Sequence, residues 1–152
     1  MNKKEQIRLI EVHLRNYKTY LVGKKNIQQS LDEILPNITT NYSWPEGTNG
    51  SFNINSSTED VVLDRITGSR AIYLREMLNT YNTIINSIND AVDALDDDEK
   101  DFIKYRYFEG WSIEKTAQQL GYSEQNCFKI RIQALDKLLI SLTNLLKMTD
   151  EI

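Results

Sequence analysis

The side chains best suited to chemistry in this chain lie between Tyr122 and Gln133. Glu124, Gln125, Phe128, Lys129 and Gln133 fall on the outward side of a helix that begins after Ser123, with Asn126 and Arg131 flanking them. A glutamate can accept from the N4 amino group of cytosine, a glutamine can pair with adenine, and a lysine can donate to guanine or to phosphate. Tyr122 and Ser123 stand at the helix start, where a hydroxyl and free backbone N–H groups can hold a phosphate. The chemistry of this set is reading a DNA duplex rather than transforming a substrate.

Other chemistry has little to stand on. His13 is the one histidine and sits on an ordinary helix, which reads as a surface or boundary position. Cys127, the one cysteine, falls at an apolar helix position without a histidine to activate it. Asp96, Asp97, Asp98 and Glu99 are consecutive, so they do not converge on one ion and read as a solvated helix cap. With no glycine-rich phosphate loop, metal-ligand cluster or serine-nucleophile motif, the sequence calls for no metal and no cofactor, and an enzyme is the least favoured class.

The elements that must position the polar set are a helix-turn-helix from Ile113 to Ile132. Ser112 can cap a short helix carrying Ala117 and Leu120 on its inner side. Gly121 stands where a tight turn requires a positive φ, and Ser123 caps the second helix, which buries Cys127 and Ile130. Such a unit lays its second helix in the major groove. Upstream, Asp96 begins a helix crowded with Phe102, Ile103, Tyr105, Arg106, Tyr107 and Phe108, and Trp111 reads as filler of the corner between helices. Downstream, Leu135, Leu138, Leu139, Leu142, Leu145 and Leu146 continue an apolar face past the reading residues. Those leucines require a partner, either the N-terminal helices or a second subunit.

The segments LDDDEKDFIKYRYFEG, WSIEKTAQQLGYS and QALDKL resemble region 4 of bacterial sigma factors, the domain that reads the promoter −35 element. More broadly, with the loop Trp44–Asn55 and the helix start SSTEDVV, the chain resembles phage late transcriptional regulators of the ArpU/RinA type. The resemblance implies double-stranded DNA as partner, RNA polymerase as a second one, and Glu124, Gln125 and Lys129 as base-facing. Two features depart from the sigma pattern. Phe128 and Gln133 stand where sigma factors tend to carry phosphate-touching basic residues, and Lys115 stands where they usually have an acid.

The N-terminal half reads as helical. A first helix from Lys3 to Val22 carries a seam of Ile7, Ile10, Leu14, Tyr17 and Leu21, with Gly23 ending or bending it. A second spans Lys25 to Leu35, before Pro36. Residues 37–57 form a polar loop whose Tyr42, Trp44 and Phe52 read as pins onto the helical body. A long helix then runs from Ser57 or Thr58 to about Val92, with Met77, Tyr81, Ile84, Ile88, Ala91 and Leu95 at heptad spacing. That seam serves either packing within the chain or a homodimer coiled coil. The expected organisation is all-α: a helical, oligomerising region over 1–94, then a helix-turn-helix domain over 95–152.

Composition agrees. Two prolines and six glycines in 152 residues suit helices. No apolar run approaches the roughly 20 residues of a bilayer span, so no membrane role is expected. One cysteine excludes an internal disulfide and fits a reducing cytoplasm. The net charge of −4 is unevenly spread: residues 1–25 hold seven Lys/Arg against two Asp/Glu, and residues 26–95 hold three against nine. A small regulator with a local basic face suits this pattern, and a nonspecific nucleic-acid coat does not. A small terminase-like packaging protein is the competing class, because it too joins a helix-turn-helix to oligomerising helices.

Overall fold

The computed structural model describes residues 1–40 and 58–150, and every element in them is helical. In chain order these are α1 (Lys3–Arg15), α2 (Tyr17–Thr40), α3 (Thr58–Asp93), α4 (Asp97–Ile103), α5 (Ile113–Leu120), α6 (Glu124–Ser141) and α7 (Thr143–Asp150). A wide π-type turn at Lys104–Phe108 extends α4. The all-α reading therefore holds. The aromatic residues Tyr42, Trp44 and Phe52 lie outside the described residues.

Two compact units divide the chain: residues 1–22 with 82–152, and residues 23–81. A boundary near residue 94 would cut through the first unit. Its core joins Ile10 and Leu14 of α1 to Ile88, Ala91 and Val92 of α3, to Phe102, Ile103 and Tyr107, and to Ala134, Leu135 and Leu138 of α6. The first helix thus belongs to the core of the C-terminal module. It also covers the leucines that follow the reading residues: Leu135, Leu138, Leu142, Leu145 and Leu146 are all 5% exposed or less. The expected continuous last helix is interrupted at Leu142, and Leu145 and Leu146 of α7 still join this core.

The N-terminal helix boundaries also differ from expectation. The break comes at Asn16 rather than Gly23, with α1 capped at its start by Asn2, whose side chain accepts from the Glu5 N–H. Gly23 lies within α2. There its missing side chain serves close approach: a Cβ would stand 3.1 Å from Cε1 of Tyr81. Among the described glycines, a positive φ is found at Gly110 (72°) and Gly121 (75°).

Within the first unit, Tyr17 anchors α2 to the module. Its ring stacks on Phe108 at 4.3 Å and its hydroxyl donates to Asn89 Oδ1 at 2.6 Å. His13 is buried, not at the surface, with Nδ1 hydrogen-bonded to the Tyr20 hydroxyl at 2.7 Å. Burial holds its pKa below the usual histidine value. Among the described residues no helix is long and apolar enough to cross a membrane.

Candidate nucleic-acid interface

The helix-turn-helix forms by local rules. Ser112 has extended backbone, its Oγ accepts from the Lys115 N–H at 3.2 Å, and α5 starts there. Thr116 is fully buried, and its hydroxyl donates back to the Ser112 carbonyl at 2.8 Å. Gly121 ends α5 in the left-handed region (φ 75°, ψ 25°), and the Tyr122 N–H then reaches the Ala117 carbonyl at 3.1 Å. A further cap follows immediately: Ser123 Oγ accepts from the Asn126 N–H at 3.2 Å and starts α6. Ala117 on α5 and Cys127 and Ile130 on α6 are buried, as the spacing requires.

This frame sorts the sequence-predicted positions into three groups. Glu124, Gln125, Phe128, Lys129 and Gln133 are exposed on α6, and Asn126 is half-buried at its first turn. Ser123 is exposed and spends its hydroxyl on the cap. Tyr122 is exposed at the turn, but its hydroxyl donates to Asp98 Oδ2 at 2.8 Å, which raises its pKa. The first group shares one open face, with no side-chain hydrogen bond or ion pair among the described residues.

Arg131 departs from the flanking DNA role expected for it. Its guanidinium donates to Glu11 Oε1 through a short charge-assisted bond, and its Nε donates to the Tyr107 hydroxyl at 3.2 Å. Tyr107 in turn donates to the same Glu11 oxygen at 2.7 Å. Burial alone would raise the Glu11 pKa, but the hydrogen bonds from Tyr107 and Arg131 and the charges of Arg131 and Arg15 bring it below the usual carboxylate value. Burial and the Glu11 carboxylate push the Tyr107 hydroxyl up to about 12. Glu11, Tyr107 and Arg131 therefore form a fixed bracket between α1 and α6. A charge at Glu11, amid the apolar seam of Ile7, Ile10 and Leu14, was the sequence signal for it.

The acidic start of α4 is likewise more than a solvated cap. Glu99 is buried and accepts from Lys137 Nζ at 2.6 Å, while Asp96 accepts from the same amine at 3.2 Å. Asp96 keeps the extended backbone of an N-cap, but its carboxylate is turned to Lys137 instead of the helix N–H groups. Trp111 only half-fills the corner. It stacks on Tyr105 at 4.7 Å, and Lys115 Nζ lies 4.0 Å from its ring centroid, which gives this basic residue a structural place.

Residues 91–138 match the protein family described as Sigma-70, region 4. The C-terminal part of the chain thus carries a region 4-like helix-turn-helix domain. Comparison of the chain with curated proteins and with solved structures gives no match. The matched stretch runs from the end of α3 to near the end of α6. It leaves out α1, although α1 is built into the core of the region 4-like domain.

Proposed function

We propose that this chain is a phage or prophage transcriptional regulator that binds promoter DNA through α6 and recruits RNA polymerase to late genes. The observation that carries the DNA-reading part is the exposed polar face of α6 within a region 4-like domain. Glu124, Gln125 and Lys129 are the base-reading residues, with Asn126 and Gln133 at the edges of the contact. Ser123 and Tyr122 sit at the α6 N-terminus, where a phosphate is favoured. The late-gene reading rests on the resemblance of LDDDEKDFIKYRYFEG, Trp44–Asn55 and SSTEDVV to the ArpU/RinA-type regulators. No bond is made or broken. The regulator acts by holding polymerase and promoter together, in the cytoplasm of a bacterial host.

It acts as a homodimer. Leu63, Ile66 and Tyr73 of α3 are 59%, 60% and 61% exposed and fall along one side of the helix. Two copies would place two reading helices on paired half-sites, which compensates for the single exposed lysine on the reading face of α6. The same surface in a larger ring would suit the packaging protein.

Selection of duplexes from a random-sequence pool tests the proposal. Enrichment of a two-part motif, with increased run-off transcription by host polymerase from a promoter carrying it, is the expected result. Failure to enrich any sequence contradicts the regulator. Light scattering on the eluting protein distinguishes a dimer from a ring of about eight or more copies, which favours the packaging protein.

A further inference from the structure

We infer that the basic edge of α1, centred on Lys4 and Arg8, is a second DNA contact that grips the phosphate backbone beside the reading helix. The inference rests on the DNA-reading function proposed for α6. α1 packs along α6 in the opposite direction, with Lys3 Nζ 3.1 Å from Asp136 Oδ1 and Glu11 paired to Arg131 one turn and a half earlier on α6. An open cleft of about 460 Å³ lies along this contact, lined by Lys3, Lys4, Ile7, Arg8, Glu11 and Arg131.

The charge of this cleft is available to an anion. Lys4 and Arg8 are one helical turn apart and exposed, and neither has an ion pair among the described residues. The neighbouring acids are already occupied. Glu11 is neutralised by Arg131 and Tyr107, Asp136 faces Lys3, and Glu5 accepts from the Asn2 N–H at 3.0 Å. Glu5 keeps its charge, so Lys3, Lys4, Arg8 and Arg131 against Glu5, Glu11 and Asp136 leave a balance of +1. Lys4 and Arg8 are the exposed cations of the cleft without an ion pair among the described residues.

The reading helix needs such help. Its outward face carries Lys129 as its basic group, while Phe128 and Gln133 supply no charge for phosphate. Affinity for duplex DNA comes largely from phosphate neutralisation, and base-facing groups alone give little of it. Arg131, one turn after Phe128, lines the cleft, so α1 brings its two free cations alongside the edge of the reading face that lacks them. The bracket formed by Glu11, Tyr107 and Arg131 fixes α1 in that position.

The test uses the full chain and a mixed-sequence duplex of about 30 base pairs, with binding followed by fluorescence anisotropy over roughly 50–200 mM salt. Lys4→Gln/Arg8→Gln keeps helix-forming residues at exposed positions, so circular dichroism should be unchanged. The slope of log affinity against log salt should become shallower by about 1–2, with weakening alike on every sequence. A charge-matched control, Arg65→Gln/Arg70→Gln on α3, should leave the slope at the wild-type value. An unchanged slope in the α1 variant, or an equal change in the control, overturns the inference while wild-type binding leaves the α6 reading intact. Absence of wild-type binding to any duplex overturns both.

Discussion

The apolar side chains at the end of α6 and in α7 are sealed, whereas those in the first half of α3 are open. Leu138, Leu142 and Leu145 are 0%, 1% and 2% exposed; Leu63, Ile66 and Tyr73 are each near 60%. In sequence the two stretches look equally in need of cover. The first finds it within its own unit, because α1 and the end of α3 close over it. Burying a leucine side chain there contributes about 1.5–3 kcal/mol. Nothing comparable covers the second among the described residues of its unit. One stretch therefore builds the fold of the helix-turn-helix module, and the other is the surface on which the proposed second copy would pair.

The sealed region should be the most sensitive. Leu138→Ala removes a fully buried side chain from the centre of the first unit and should cost about 2–5 kcal/mol in urea unfolding. A loss below about 1 kcal/mol would mean that these leucines are covered only by assembly, and the contrast would fail.

Next in size is the bracket between α1 and α6. Glu11→Gln leaves the Arg131 guanidinium facing a neutral group and should cost about 1–3 kcal/mol. It should also bring α1 into hydrogen exchange sooner than α6. Uniform exchange across both helices, with native stability, would show that the apolar contacts alone hold α1 in place.

Gly121→Val places a branched side chain at φ 75°. The cost should be about 1–2 kcal/mol, chiefly from the backbone, since no heavy atom beyond the chain neighbours lies within 4 Å of the added Cβ. Melting temperature and DNA affinity should fall together; a fall in affinity at unchanged melting temperature would detach the turn from the stability of the module.

The open region should behave in the opposite way. Ile66→Gln/Tyr73→Gln should change stability of the isolated subunit by no more than about 0.5 kcal/mol, because both side chains are already exposed. Mass by light scattering should drop from dimer to monomer. A wild-type monomer at tens of micromolar would remove the pairing surface.

Much of the module was legible because its rules are local. The caps at Ser112 and Ser123, the left-handed Gly121 and the buried Ala117, Cys127 and Ile130 follow from neighbours within a few residues. What escaped depends on distant partners. Arg131 reads as a DNA contact until Glu11, 120 positions away, takes it, and the acids Asp96 and Glu99 read as solvated until Lys137 reaches them. The C-terminal leucines leave two partners open, the N-terminal helices or a second subunit, and the packing of α1 against them decides for the first by contacts distant in sequence. An apolar seam states that a helix must pack but not against which element. Gly23 lies inside α2, where a Cβ would crowd the Tyr81 ring, a contact that no local pattern reports.

The exposed face of α6 is proposed to read DNA. Titration of the selected duplex with wild-type protein, Gln125→Ala and Lys129→Ala tests it most directly. Each substitution should weaken specific binding by about 1–3 kcal/mol while leaving helicity and the melting temperature unchanged. Wild-type affinity in both variants would contradict the account and leave α6 as a structural helix only.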